Sequence, residues 1–290
     1  MTAIAGSGIE TKPAKPKGPL IYRQRFVTRI THWIWAICLF FLLLTGLQIF
    51  NAHPTLYLGH QSGFGFDNAI LDMSAEQTDG GVRGFTTIFG QKFDTTGVFG
   101  KSGSDARPDY QGFPSWATIP SYRDLATGRV IHFFFGWIFI ATMFVWFLFS
   151  FVNGHIRRDV VVRPKDVKEL PQDIADHATF RFHHTRTYGP LQRLAYSVVF
   201  FILFPLIILT GLGMSPGMDS AWPWLIDMWG GRQTARAVHF LTMALLVGFF
   251  IIHIVMMVLA GPFNELRSMI TGWYRVSFGE PTEPGDKTRG

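Results

Sequence analysis

Four of the ten histidines in this 290-residue chain stand inside long apolar runs: His32, His132, His239 and His253. An imidazole at membrane depth is costly to bury and usually marks function. Taken singly, each has a structural explanation as a neutral ring bonded to a carbonyl of a neighbouring helix. Four together, in runs that contain no Asp, Glu, Lys or Arg, ask for a common role. The chemistry that neutral imidazoles offer in such a setting is metal ligation.

The elements that must position them are membrane helices. With 48% hydrophobic and 16% aromatic residues and a mean hydropathy of +0.21, the chain falls in the membrane class. A bilayer core of about 30 Å requires about 20 predominantly apolar helical residues. Four runs meet this length, at 31–50, 130–152, 194–214 and 237–263. A basic tail at 1–27 precedes them and a tail at 264–290 follows. The first run is too long for a signal-peptide core and no small-residue cleavage motif follows it, so it reads as a retained span. Cys38 is the single cysteine and no C-x-x-C-H motif is present, so any haem is held non-covalently.

Lys and Arg number 18 on the side of the tails and the 153–193 loop and 8 on the side of the other two loops, which places both termini in the cytoplasm. The basic balance therefore reads as topology and contact with the lipid bilayer, with no nucleic-acid partner. The outer loop 51–129 is long, glycine-rich and aromatic. It reads as a folded cap over the chain's own helices, a docking surface for a partner, or both. The inner loop 153–193 reads as a solvated connection with a short amphipathic helix at most.

Helical geometry pairs the histidines. His239 and His253 are 14 residues apart, so they share a helix face within roughly 40° and lie about 21 Å apart along the axis. Alternating span directions then match His132 with His239 at the outer level and His32 with His253 at the inner level. Two imidazoles at each of two depths make two bis-histidine sites for haem b, with His32 and His253 on the inner iron and His132 and His239 on the outer. Zinc would require a tighter tetrahedron, and a proton relay would require carboxylates between the levels.

The span entries are spelled alike: "RITH" at 29–32, "RVIH" at 129–132, "RLAY" at 193–196 and "RAVH" at 236–239. The fourth span supplies two ligands, so the third needs none and carries Tyr196 instead. Each arginine lies one turn nearer water on the same face. Arg29, Arg129 and Arg236 are candidates to pair with haem propionates, with interfacial anchoring as the other reading, and Arg193 reads at least as well as an anchor. A second repeat, "LTGL" at 44–47 and 209–212, suggests two related helical hairpins.

The segments "RITHW…LLLTGLQIF", "YGPLQRLAY…FPLIILTGLGMSP" and "GGRQTARAVHF…HIVMMVLAGPFNELRSMITG" resemble cytochrome b subunits of thiosulfate-reductase type. These belong to the di-haem four-helix family that includes the b-type subunits of formate dehydrogenase-N and nickel–iron hydrogenase. The resemblance implies an all-α membrane protein of the bacterial inner membrane, a four-transmembrane-helix bundle with two haems b between the helices. It implies an electron-transfer subunit, not a catalyst on its own, joining the quinone pool to a periplasmic redox subunit, often a molybdopterin oxidoreductase. It further implies a quinone near the inner haem at the start of helix three, which corresponds here to Gln192, Arg193 and Tyr196, preceded by His183, His184 and Tyr188; the other reading of these residues is interfacial anchoring of the helix. The long outer loop departs from compact family members and argues against two rivals, a hydrogenase partner and a stand-alone superoxide oxidase. A non-redox anchor or transporter is the rival from another class.

Overall fold

The computed structural model describes residues 18–63, 68–179, 188–276 and 288–289. Helix α1 (Phe26–Asn51) and helix α2 (Leu125–Val152) form one antiparallel hairpin. On the side expected to face the cytoplasm, called inner from here on, α3 (Pro164–Ala178) joins α2 to the third span. That span comprises α4 (Pro190–Val198), a π-helical segment at Val199–Leu203 and α5 (Phe204–Met214). Two short helices, α6 (Pro216–Ala221) and α7 (Trp224–Asp227), lead to α8 (Arg232–Ala260), which packs along α5 as the second hairpin. Helix α9 (Pro262–Thr271) follows at the inner end. The four long helices Phe26–Asn51, Leu125–Val152, Pro190–Met214 and Arg232–Ala260 have hydropathies of 2.1 to 2.7 and suffice in length to cross a membrane.

Each helix begins four or five residues before its apolar run, because starting a helix takes a cap rather than a hydrophobic residue. Asp124 accepts from the Thr127 backbone N–H to cap α2, and Pro190 occupies the first position of α4. The fourth span stops at Ala260, short of the expected Phe263, because Gly261 turns left-handed at φ 109° before Pro262. The π-helical turn sits just before Pro205, which has no N–H to donate to Phe201; widening the turn keeps the span continuous.

The expectation of an all-α fold is corrected in the outer loop. Strands β2 (Thr55–Tyr57), β3 (Ala69–Thr78), β4 (Gly81–Ile88) and β5 (Gln91–Asp94) form an antiparallel meander, followed by a hairpin of β6 (Ser102–Ser104) and β7 (Arg107–Asp109). The first strand, β1 (Leu20–Tyr22), lies elsewhere, between β8 (Trp273–Arg275) and β9 (Thr288–Arg289). Leu20 pairs with Arg275 in that sheet, so the chain enters and leaves the bundle on one side.

Two glycines let the segment around Gly100 lie directly against the meander: a Cβ on Gly84 would lie 2.2 Å from the Phe99 carbonyl oxygen, and one on Gly100 2.2 Å from that of Ser74. The folded loop is a cap over the helices. Phe50 of α1, Leu56 of β2, Met73 of β3 and Ala237 of α8 share one buried cluster with Phe113 and Phe240. The Gly59 carbonyl accepts from the backbone N–H groups of Gln233 (3.1 Å) and Thr234 (3.3 Å), which caps the start of α8. Asp109 anchors the loop after β7. Burial opposes its ionisation, but bonds from Ser115 and Gln111 outweigh that and hold the carboxyl below its usual range.

On the inner side, the solvated connection proves more ordered than expected, since α3 runs 15 residues with Pro171 inside it. Its N-terminus is held by Asp166, which accepts from the Arg163 backbone N–H at 2.8 Å. This fold permits a clean test of sidedness. Asp105 sits at the tip of the β6–β7 hairpin with a 99% exposed side chain, whereas Cys38 is buried. Asp105→Cys is expected to react with a membrane-impermeant thiol reagent on intact cells. Reaction in inverted vesicles alone reverses the orientation.

Candidate haem-binding site

The structure brings the four intramembrane histidines together in two pairs. His132 of α2 and His239 of α8 have ring centres 6.4 Å apart at an interplanar angle of 58°. His32 of α1 and His253 of α8 have ring centres 6.5 Å apart at 56°. Two imidazoles bound through one nitrogen each, at about 2 Å on opposite sides of a metal, place their centres roughly 6 Å apart. Each pair therefore has the separation of a bis-imidazole site with the iron between the rings. Among the described residues no group of three or more His, Cys, Asp or Glu gathers as a metal site, and a pair fits a haem iron, whose porphyrin supplies the remaining nitrogens.

The two pairs differ in their surroundings. In the outer pair, His132 Nδ1 lies 2.9 Å from Thr45 Oγ1, and His239 Nδ1 lies 3.0 Å from Thr210 Oγ1. The adjacent glycines admit the rings: a Cβ on Gly46 would lie 3.4 Å from His132 Cε1, and one on Gly211 would lie 3.2 Å from His239 Cε1. The "LTGL" repeat is thus two copies of one device, each cradling a histidine from a neighbouring helix. In the sequence the repeat reads as a trace of duplication, and Gly46 and Gly211 as small residues that let a flat macrocycle approach; that they and the adjacent threonines cradle the histidines is seen only in the structure. In the inner pair, His32 Nδ1 is buried with no hydrogen-bond partner among the described residues, and Phe249 stacks on His253 at 5.9 Å.

The arginines diverge despite their common spelling. Arg29 donates to the Ile270 carbonyl. Arg236 donates to the carbonyls of His53 and of Thr55 (2.8 Å), tying the cap to α8, with its guanidinium 5.6 Å from the centre of the Phe50 ring. Burial, and then the Arg236 charge, hold the His53 imidazole below its ordinary value, although Asp72 pulls the other way. Arg129 lies 5.8 Å over the Phe133 ring. Arg193 is 3% exposed and donates to the carbonyls of Tyr188 (3.0 Å) and Arg158 (2.8 Å), with Asp166 4.0 Å away.

At the inner mouth of the third span, Gln192 is exposed and its Oε1 accepts from the Gly189 backbone N–H at 3.3 Å. Tyr196, one turn deeper, packs edge-on against Tyr188 at 5.2 Å and borders the aromatic core around Trp35, Trp146 and Phe204. Gln24 donates to the Tyr188 hydroxyl at 2.9 Å, and the Arg23 guanidinium lies over the rings of Tyr188 and Tyr274. His183 and His184 lie outside the described residues.

Four apolar spans with imidazoles paired across three of them define a membrane cytochrome of the b type. The chain belongs to the family described as prokaryotic cytochrome b561, which matches residues 23–272. Membership makes it a haem b-binding electron-transfer protein of the bacterial membrane. It is also 27% identical over 143 residues, 49% of this chain and 69% of the relative, to a protein of Azospira oryzae provisionally named as a protein-methionine-sulfoxide reductase subunit, YedZ1. No solved structure matches the chain significantly.

Proposed function

We propose that the chain binds two haems b, one per imidazole pair, and passes electrons across the membrane between quinone at its inner end and a redox enzyme on its outer face. The observation that carries this reading is the presence of two pairs with near-identical ring separations, 6.4 and 6.5 Å, at opposite levels of one helix. The bound haem supplies reversible one-electron chemistry at iron. The residues of the chain do the rest. Four imidazoles fix the positions of the two irons, and Arg129, with Arg29 and Arg236 near the same levels, supplies positive charge for propionates. Both termini lie in the cytoplasm on this reading.

The partner on this reading is a periplasmic subunit of the molybdopterin class, as the thiosulfate-reductase resemblance implies. The name of the Azospira oryzae relative, a reductase subunit, supports membership in a redox complex. The folded cap supports a docked partner over a stand-alone oxidase, because it presents aromatic side chains such as Phe89 and Trp116, 76% and 84% exposed, on the outer side.

At the inner end, Gln192 Nε2 and the Tyr196 hydroxyl offer donors to a quinone carbonyl. Tyr196→Phe and Gln192→Leu together are expected to slow haem reduction by a soluble quinol roughly tenfold, the consequence of losing about one hydrogen bond to the reacting ring. Haem content should stay unchanged. Unaltered rates in the double variant would move the quinone to another site.

A further inference from the structure

The outer histidines are held by a device that the inner ones lack. Thr45 and Thr210 come from α1 and α5, and neither helix contributes a ligand at the outer level. Each hydroxyl donates to a carbonyl of its own helix, Thr45 to Phe41 and Thr210 to Leu206, both at 2.6 Å. With its hydrogen committed, each hydroxyl oxygen can only accept from the imidazole beside it. The proton of His132 and of His239 is therefore on Nδ1, and Nε2 is left as the bare lone pair available to a metal. Both threonines are 0% exposed, so water does not substitute for either one. By contrast, the buried His32 Nδ1 has no acceptor among the described residues.

We propose that Thr45 and Thr210 are positioning residues that fix the tautomer of the outer ligands and lower the reduction potential of the outer haem. An imidazole that donates from Nδ1 is a more basic ligand at Nε2, and a more basic ligand favours ferric over ferrous iron. Both ligands of the outer iron are tuned in this sense, and donation from the hydroxyls to carbonyls polarises their oxygens into better acceptors. The device thus makes the outer haem a stronger reductant than its ligands alone would, which favours electron flow from the outer face inward. This rests on the haem reading above.

The test uses the purified full chain and equilibrium redox titrations of its optical bands, with His132→Ala identifying the outer haem. Wild type should hold two haems; finding fewer would sink the haem reading, not the role of the threonines. In Thr45→Val, Thr210→Val and the double variant, the outer potential should rise, in the double variant by roughly tenfold in the equilibrium, about 59 mV for a one-electron couple. The inner potential should not move, and Thr45→Ser and Thr210→Ser should restore the outer one. Loss of the outer haem in the Val variants but not in the Ser variants also supports the hydroxyls as the positioning groups. Two haems with an unmoved outer potential in the double Val variant overturn the proposal. So does haem loss in Val and Ser variants alike, because the methyl group would then be what matters.

Discussion

On the two-haem reading, replacing His253 with Ala is expected to halve the haem content and to leave the spectrum and potential of the remaining haem intact. The substitution removes one imidazole of the inner pair, the ligand proposed above, and the outer pair lies about 21 Å away along α8, beside its own threonines. His132→Ala does the converse, removing the outer haem and sparing the inner. Haem per chain, measured on purified protein alongside reduced-minus-oxidised spectra, reads both outcomes. Because a ligand that binds only the folded chain stabilises it, each variant also melts at a lower temperature than wild type. Loss of both haems from either folded variant would show that the pairs do not bind separately, and would refute the two-site assignment.

Arg193→Ala costs roughly 3–5 kcal/mol of stability, the penalty expected when one partner of a buried charged network is removed. Arg193 is almost fully buried and spans three segments through the carbonyls of Tyr188 and Arg158 and the carboxylate of Asp166. Among the described residues, its removal leaves buried Asp166 with the hydrogen bond from the Arg163 backbone N–H. Arg193→Lys recovers part of the loss, because a single ammonium cannot reproduce the planar fork of donors. Thermal midpoints in detergent measure both. A change under about 1 kcal/mol would return Arg193 to the status of an interfacial anchor. The other entry arginines are in a different position: Arg29 and Arg236 donate to exposed or partly buried carbonyls, so the shared spelling of the four entries conceals unlike roles.

The four spans were legible in the residues because a bilayer imposes a length and a composition on any helix that crosses it. The pairing of the histidines by level was legible too, since a 14-residue spacing on one helix and alternating directions leave few arrangements. The β-structure of the cap was not. Its strands pair with one another across turns such as the Thr78–Gly81 reversal and its core closes on Phe50 and Ala237, so the meander emerges only when distant segments meet. The glycine-and-aromatic composition showed that the loop folds, but gave no helix-or-strand period.

At the site the division is sharper. Residue type, helical period and the alternating directions of the spans determined which imidazoles share a level, because all three are read along the chain without any packing between helices. Which groups tune those imidazoles was decided by tertiary structure: the Thr45–His132 and Thr210–His239 contacts join residues 87 and 29 positions apart on different helices. The same holds for Arg193, whose acceptors lie 5 and 35 residues away. A repeat such as "LTGL" can be seen in the chain, but a hydrogen bond between helices depends on their rotation and spacing, which side-chain packing sets only after the bundle has closed.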